Sequence, residues 1–342
     1  MVRDTGTDDA RVRVRPNPKG NRPRTKKRPA YDDAVPALVL GVDRGRYQLL
    51  ADDGTRLVGM KSRELGRGSR SAVVVGDRVR VVGDVTGRKD TLARIVSVEE
   101  RTSALRRSAE DGDAAGVERV IVANADQLVI VTALADPEPR PRMVDRCLVA
   151  AYDAGMEPVL CLTKSDLADP GPFLSLYEAL EVPALVTSVA DGEIRGVEAV
   201  RERLAGRVSV LIGHSGVGKS TLVNALVPGA GRATGGVNVV TGRGRHTSSS
   251  AVALPLPGGG WAIDTPGVRS FGLSHVSADD LLAAFDDLHA VAQNCPRGCT
   301  HAADAPDCAL DEWVAAGHAG TAGEARLASF RRLLAAKTGA PD

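Results

Sequence analysis

The sequence predicts a multidomain protein: an N-terminal β-barrel, a central α/β domain and a C-terminal helical module that holds a metal. Three observations predict this order. Glycine-separated β-like runs fill residues 34–100, apolar strands alternate with amphipathic helices over residues 101–275, and three cysteines lie near a histidine in the alanine-rich segment 276–342. Residues 1–33 form a basic tail before the barrel.

The composition favours a cytoplasmic protein with no membrane contact; a monomer is the expectation, although the sequence carries no signal for the oligomeric state. Of the 342 residues 43% are hydrophobic, but no apolar run is long enough to cross a bilayer, and the charged N-terminus lacks the apolar core of a secretory signal. Five cysteines are an odd number, so metal ligation in a reducing compartment is favoured over a disulfide framework.

The net charge of +1 conceals a strongly basic tail. Residues 11–28 contain nine Arg or Lys, three Pro and no acid. This composition is typical of a disordered segment, and it also suits an arm that follows nucleic-acid phosphates. Both interpretations remain open.

Residues 34–100 predict a five-stranded barrel of the OB type. The runs are Ala37–Leu40, Tyr47–Leu50, Arg56–Met60, Val79–Val82 and Leu92–Val98. Basic residues accompany them, namely Lys61, Arg63, Arg67, Arg70, Arg78, Arg80, Arg88 and Lys89. OB barrels frequently bind RNA, although Tyr47 is the one aromatic residue here and base stacking is therefore weakly supported.

Residues 101–275 predict a parallel sheet covered by helices on both faces. The expected strands are Gln127–Thr132, Pro158–Leu162, Ala184–Thr187 and Val208–Ile212, and the expected helices are Met143–Ala154, Pro172–Leu180 and Val197–Leu204.

A phosphate-binding loop follows the last of these strands. Gly213, His214, Ser215, Gly216, Val217, Gly218, Lys219 and Ser220 fit G-x-x-x-x-G-K-[ST] in full. The glycines let backbone N–H groups face phosphates at a helix N-terminus. We expect Lys219 to reach the β- and γ-phosphates, Ser220 to ligate Mg²⁺, and Thr221 to donate to the α-phosphate.

Earlier in the chain, a short motif resembles the guanine-specificity motif of GTPases. It comprises Thr163, Lys164, Ser165 and Asp166, and Ser188, Val189 and Ala190 resemble the second base-contacting loop. The Asp166 carboxylate can accept hydrogen bonds from two guanine donors, whereas adenine would leave it unpaired. Lys164 would lie across the base and brace the phosphate loop. Thr163 stands where GTPases more often have Asn, and a hydroxyl supplies only part of the amide's bonds.

The residues for the triphosphate and for hydrolysis lie downstream. Asp264 opens a D-x-x-G motif, so we expect it to hold Mg²⁺ through water and the Gly267 amide to meet the γ-phosphate. The Gly- and Ser-rich segment 242–250 suits a mobile switch in which Thr247 contacts Mg²⁺, although a plain surface loop has the same composition. Val268 cannot orient water, which leaves His246 as the candidate catalytic residue and predicts slow turnover without an activator.

The cysteine-rich segment predicts a structural zinc site. Its ligands would be Cys295, Cys299, His301 and Cys308, and four protein ligands leave no position for water. Cys147 and Cys161 fall in helix and strand patterns and are expected in the core.

The base motif precedes the phosphate loop, reversing the usual order, and this arrangement between a barrel and a zinc module resembles the RsgA (YjeQ) family of circularly permuted GTPases. The resemblance runs from about residue 34 to the C-terminus. It implies a GTPase that binds GTP or GDP, contacts the small (30S) ribosomal subunit and its rRNA, assists late maturation, and is stimulated by the subunit.

This chain departs from the family pattern in two motifs. The G-R-H-T-T-T switch is Gly244–Ser249 here, with Thr247 alone kept as threonine, and the zinc spacing is C-x₃-C-x-H-x₆-C instead of C-x₄-C-x-H-x₅-C. The altered spacing predicts a different local backbone around the metal.

We hypothesise that contacts of the γ-phosphate at Thr247 and Gly267 reorient the flanking modules, so that GTP favours subunit engagement and hydrolysis favours release. Alternatives are a permuted GTPase acting on the large subunit, a non-catalytic GTP-binding RNA assembly factor, and a P-loop ATPase or kinase.

Overall fold

The computed structural model describes residues 31–65, 72–108, 118–190, 192–231, 251–266, 271, 273 and 276–338. The basic tail at residues 11–28 and the switch segment 242–250 lie outside the described residues.

A closed barrel forms the first part of the described chain, as the sequence predicts. Its strands are β1 (Val35–Asp43), β2 (Arg46–Ala51), β3 (Arg56–Lys61), β4 (Arg78–Gly83) and β5 (Ala93–Val98). Strand β1 pairs with both β2 and β4, and β3 pairs with β5 in parallel, which closes the order β1-β2-β3-β5-β4. Alternate side chains such as Val39, Leu49 and Ile95 fill the interior.

The central domain contains the expected parallel sheet with helices on both faces. Its elements are β6 (Ala104–Ser108), β7 (Glu118–Ala123), β8 (Gln127–Ala133), α1 (Pro141–Asp153), β9 (Glu157–Thr163), α2 (Gly171–Leu174), β10 (Ala184–Val186), β11 (Ser188–Ala190), β12 (Glu193–Arg195), α3 (Val197–Leu204), β13 (Val208–Ile212), α4 (Lys219–Leu226), β14 (Val252–Pro255) and β15 (Trp261–Asp264). The order is β10-β9-β8-β13-β15-β14, and β14 alone is antiparallel to its neighbour.

The secondary structure of this domain differs from the prediction in one helix and by one residue at the end of one strand. The expected helix over Pro172–Leu180 is split into α2 and a separate 3₁₀ turn, Glu178–Leu180. Backbone bonds between residues three apart tighten this segment and turn Phe173 and Tyr177 inward, with ring centroids 5.3 Å apart. The strand expected to reach Thr187 ends at Val186.

Four helices complete the described chain: α5 (Ala278–Leu282), α6 (Asp286–Ala292), α7 (Ala309–Ala315) and α8 (Gly320–Thr338). Helix α8 packs on α1, where Arg332 lies 3.2 Å from the buried Asp145 carboxylate. Burial raises the pKa of Asp145, and Arg332 opposes that rise. Among the described residues, no helix combines the length and hydropathy that a membrane span needs.

Barrel and central sheet are continuous. Gly41 of β1 is the register partner of Val252 of β14, so the two domains share one sheet of eleven strands. In the connection from β5 to β6, Arg101 bonds both carboxylate oxygens of Asp77, at 2.7 and 2.8 Å, and the Asp77 side chain is fully buried. The barrel is therefore fixed to the central domain by backbone pairing and by a buried ion pair.

Candidate functional site

The sequence-predicted motifs that the structure describes meet at one edge of the central sheet. Strands β9, β8, β13 and β15 are parallel, so their carboxyl ends lie side by side. Thr163 is the register partner of Ala133, and Asp264 is that of Leu211. This is the edge at which parallel α/β sheets bind ligands.

The loop between β13 and α4 has the backbone that a phosphate cradle requires. Gly216 and Gly218 both have φ of 87°, a conformation that glycine adopts without strain. A Cβ at Gly213 would lie 2.5 Å from the Val131 carbonyl oxygen, so the loop can approach β8 only with glycine there. Helix α4 begins at Lys219, immediately after the loop. The loop and the helix N-terminus can therefore hold an anion.

Lys219 and Asp264 face each other in this site. The Lys219 ammonium contacts a carboxylate oxygen of Asp264, and their side chains are 12% and 5% exposed. Thr265, the next residue, donates its hydroxyl to the Leu211 carbonyl at 2.9 Å. The D-x-x-G strand is thereby fixed to the strand that enters the phosphate loop.

Thr163 connects the base motif with the phosphate loop. Its buried hydroxyl lies 2.6 Å from the Val217 carbonyl and 3.3 Å from the Thr132 carbonyl. A hydroxyl has one proton to donate, so the short bond to Val217 takes it. As the sequence suggests, threonine supplies part of the bracing that an amide would give.

The rest of the base motif differs in part from expectation. Ser188–Ala190 is a short strand of a hairpin with β12, since its residues pair with Glu193–Arg195, and is not a loop that ends β10. The Val189 backbone N–H donates to Asp166 at 3.0 Å, so the two base-contacting segments do meet. The Lys164 ammonium contacts the Asp136 carbonyl rather than the phosphate loop.

Three predicted residues cannot be placed by the structure. His246, Thr247 and Gly267 lie outside the described residues. Their roles in Mg²⁺ contact and hydrolysis therefore stay predictions. Ser165, Ser220 and Thr221 lie in the expected segments, at the base motif and at the start of α4.

The four predicted metal ligands converge. The ligand atoms of Cys295, Cys299, His301 and Cys308 all lie within 4.8 Å of one another. The His301 Nδ1 atom is 3.6 Å from the Cys295 sulfur and 3.9 Å from the Cys308 sulfur, and those two sulfurs are 4.0 Å apart. Ligands about 2.0–2.3 Å from a tetrahedral zinc would show similar separations.

The groups around this cluster suit metal binding. His301 Nε2 lies 4.0 Å from an Asp279 carboxylate oxygen, so the proton can reside on Nε2 while Nδ1 faces the thiols. Burial lowers the pKa of His301, which favours the neutral imidazole that ligates metals. Burial also raises the pKa of Cys308 to about 11, so its thiolate needs a nearby positive charge such as a metal.

The segment that contains the four ligands has three residues with left-handed backbone conformations. Gly298 has φ of 79°, and the non-glycine residues His301 and Asp307 have φ of 55° and 53°. Left-handed conformations at non-glycine residues are disfavoured by about 1–2 kcal/mol each. Arg331 of α8 donates to the His301 carbonyl at 3.2 Å and supports this strained segment.

Sequence reasoning missed the contributions of Thr265, Asp136 and Pro137. Pro137 lies beside the phosphate loop, 3.4 Å from where a Cβ of Gly216 would be. Asp136 and Pro137 closely follow β8, so the rule that ligands bind at the carboxyl ends of parallel strands could have identified them. Thr265 stands inside the D-x-x-G motif but is not one of its defining residues.

Comparisons with known proteins agree with this arrangement. Residues 98–274 match the model of the RsgA GTPase family. The small ribosomal subunit biogenesis GTPase RsgA of Ectopseudomonas mendocina (strain ymp) is 41% identical over 276 residues, covering 79% of this chain and 76% of that relative. The protein of the same name from Gemmatimonas aurantiaca is 37% identical over 279 residues, covering 80% and 89%.

Two solved structures are similar to the whole fold. YjeQ from Thermotoga maritima superposes with a TM-score of 0.62 at 25% identity, covering 90% of this chain and 99% of that one. YloQ, described as a circularly permuted GTPase, gives a TM-score of 0.61 at 20% identity and covers 92% and 100%.

Proposed function

Because this chain belongs to the RsgA GTPase family and is a GTP hydrolase, we propose that it assists late maturation of the small (30S) ribosomal subunit, which stimulates its GTP turnover. The relatives that bear this name cover most of the chain. The meeting of base motif, phosphate loop and Asp264 at one sheet edge is the structural observation that carries the proposal.

Nucleotide recognition is divided between the two ends of this edge. Asp166, oriented by the Val189 N–H, accepts hydrogen bonds from the guanine ring. The loop Gly213–Gly218 surrounds the phosphates with backbone N–H groups, and Lys219 leaves Asp264 to neutralise phosphate charge. The hydrogen bond from the Thr163 hydroxyl to the Val217 carbonyl connects the guanine-binding end of the site with the phosphate-binding end.

Magnesium and zinc are the cofactors proposed with this site. Mg²⁺ would be held by Ser220, Thr247 and, through water, Asp264, and would neutralise charge on the phosphates. A single Zn²⁺ at Cys295, Cys299, His301 and Cys308 would stabilise the helical module rather than take part in hydrolysis. His246 remains the candidate for positioning water.

Coupling between nucleotide and ribosome is proposed to pass through the segment after D-x-x-G. The Arg146 guanidinium contacts the Phe271 carbonyl and donates to the Ala336 carbonyl of α8 at 2.8 Å. A movement of Phe271 would therefore be transmitted to α8 through the Arg146 side chain. GTP would favour engagement of the subunit and its rRNA, and GDP would favour release.

Phosphate release from GTP, measured alone and with purified small or large subunits, tests the proposal. We expect slow turnover alone, a rise of about 10³-fold or more with small subunits, and no competition by ATP. Stimulation by large subunits instead would favour the alternative assignment. Binding of GTP without turnover under any condition would favour a non-catalytic assembly factor.

A further inference from the structure

An open pocket of about 360 Å³ lies where β9, α2 and the 3₁₀ turn Glu178–Leu180 come together ahead of β10. This volume is at the lower end of the range of about 300–1,000 Å³ that is typical of ligand pockets. Its lining includes none of the residues assigned above to nucleotide or metal binding. We call it the glutamate pocket, and the side chains that define it are Leu160, Leu174, Tyr177, Glu178, Glu181 and Val182.

The glutamate pocket is apolar inside and acidic at its opening. Leu160 and Tyr177 are 0% and 2% exposed, and Leu174 and Val182 are partly buried beside them. Glu178 and Glu181 are both exposed. Among the described residues that line the pocket there is no lysine, arginine or histidine. A ligand would therefore meet an apolar interior and two negative charges at the surface.

Both carboxylates are available to a cation from outside. Arg326 of α8 lies 3.7 Å from Glu181, but it donates to Asp287 at 3.2 Å, and the Glu181 side chain is 81% exposed. In the part of the chain that the structure describes, Glu178 has no ion-pair partner. Glu181 also has φ of 53°, a left-handed conformation that is uncommon for glutamate and recurs at ligand-binding positions.

We propose that the glutamate pocket binds an arginine side chain from a basic segment of a partner protein. Arginine combines an apolar stem with a cationic head, so the stem can pack on Leu174 and Val182 while the guanidinium stays near the opening. There its N–H groups donate paired hydrogen bonds to the carboxylates of Glu178 and Glu181. The inference goes beyond the proposed function, which assigns no protein partner to this surface.

The surroundings of the pocket favour a protein segment over other occupants. Two carboxylates repel phosphates, so a nucleic-acid backbone does not suit this surface. Leu176 is 40% exposed and is adjacent in the chain to Ser175 and Tyr177, which both line the pocket. A peptide whose arginine entered the pocket would cover this leucine with neighbouring residues, whereas a free amine would leave it open to solvent.

Two double variants of the full chain provide a matched test. E178Q/E181Q removes both carboxylates of the pocket, and E100Q/E202Q removes two exposed carboxylates outside it, with an equal change in net charge. The probe is a fluorescent peptide of about nine glycine and alanine residues with one central arginine. The same peptide with citrulline, which keeps the shape and lacks the charge, is the second probe, and spermidine is the competitor. Fluorescence anisotropy measures affinity.

We expect saturable binding of the arginine peptide to the unaltered chain and to E100Q/E202Q. The affinity should fall about 10- to 100-fold in E178Q/E181Q and to the same extent when citrulline replaces arginine. Glu178→Gln alone keeps Glu181 and its contact with Arg326, so it should lose a smaller part of the affinity. If E178Q/E181Q showed a lower thermal midpoint than E100Q/E202Q, this single variant would decide.

Four results would overturn the proposal. These are no saturable binding at up to about 5 mM arginine peptide, equal losses in the two double variants, equal affinity for the citrulline peptide, and tighter binding of spermidine than of the peptide through the same two glutamates. The last result would show that the pocket holds a free polyamine and not a protein side chain.

Discussion

At the scale of single residues, Thr163 shows how the phosphate loop and the base motif act as one site. An asparagine at this position could donate two protons, whereas threonine donates one, and the structure directs that proton to Val217. The bond connects residues 54 positions apart. This hydroxyl therefore adds a direct side-chain link between the base motif and the loop to the backbone pairing of their strands.

We predict that Thr163→Val weakens binding of both GTP and GDP by about 10-fold, because the buried Val217 carbonyl loses its donor at a cost of about 1–3 kcal/mol. Titration with a fluorescent guanine nucleotide measures this. Thr163→Ser should bind nearly as the unaltered chain does. Thr187→Val, which removes a weaker 3.4 Å bond to Leu162 in the neighbouring strand, should have little effect. An equal loss of nucleotide affinity in all three variants would contradict the role assigned to the Thr163 hydroxyl.

At the scale of elements, Asp77 and Arg101 hold the junction between barrel and central domain. The Asp77 carboxylate also accepts the Val74 backbone N–H at 2.8 Å, so its charge is satisfied although it is fully buried. Removing one partner of a buried pair leaves the other charge without compensation. The Asp52–Arg78 pair in the same barrel is exposed, so water can solvate the charge that remains when one partner is removed.

We predict that Asp77→Ala lowers the free energy of unfolding by about 3–5 kcal/mol, whereas Asp52→Ala changes it by less than about 1 kcal/mol. Chemical denaturation followed by circular dichroism measures both. If the two substitutions proved equally mild, the junction would not depend on this ion pair.

A second pair links α7 to α8. Arg331 bonds both carboxylate oxygens of Asp311 at 2.7 Å, and these bonds lower the pKa of Asp311 below 3.8. A lowered pKa in the folded state contributes stability that is present above the unfolded value and is lost as pH falls through the folded value. The side chain of Asp311 is 48% exposed, so the contribution is at most about 1 kcal/mol.

We predict that Asp311→Asn lowers the thermal midpoint slightly at pH 7 and that its difference from the unaltered chain shrinks below about pH 4. Thermal melts across this pH range measure the difference. A difference in thermal midpoint that stayed constant down to acid pH would mean that the charge of Asp311 does not contribute to stability.

The sequence predicts which helices and strands form better than it predicts the residues at which they end. Long apolar strands and the glycine pattern of the phosphate loop carry strong local signals, so the barrel, the parallel sheet and the loop are where we expect them. The hairpin of β11 with β12 has a local signal that the sequence analysis did not use, because the dipeptide Asp-Gly separates the two strands. The break after Leu174 follows from the inward packing of Phe173 and Tyr177, which overrides local helix propensity. The position of Asp136 after β8 could be expected from the rule for parallel sheets, but its contact with Lys164 and that of Thr265 with Leu211 join segments far apart in the chain and have no local sequence signal.

At the scale of the whole molecule, the Cys/His cluster lies within the helical module that packs on the central domain. Its ligands lie between α6 and α7, and α8, which packs on α1, supports His301 through Arg331. The strained backbone at His301 and Asp307 needs compensation, and metal ligation can supply several kcal/mol. If zinc binds at these four residues, as proposed above, its removal should therefore affect more than the loop that holds the ligands.

We predict that Cys299→Ser reduces bound zinc from one ion per chain to well below one and lowers the thermal midpoint by several degrees, because a thiolate ligand is lost. Metal analysis and thermal melts measure both. Cys161→Ala removes a fully buried thiol outside the cluster and should keep the zinc content. Equal zinc loss in both variants would contradict the assignment of ligands.

The shared sheet has a practical consequence for dissecting this protein. A chain shortened to begin after the barrel would leave β14 without its outer neighbour β1, and its backbone groups would form an open edge. Open edges template pairing with other molecules, so such a fragment should self-associate. Inactivity of the fragment would then report aggregation as well as the absence of the barrel, whereas point substitutions on the barrel surface keep β1 paired with β14.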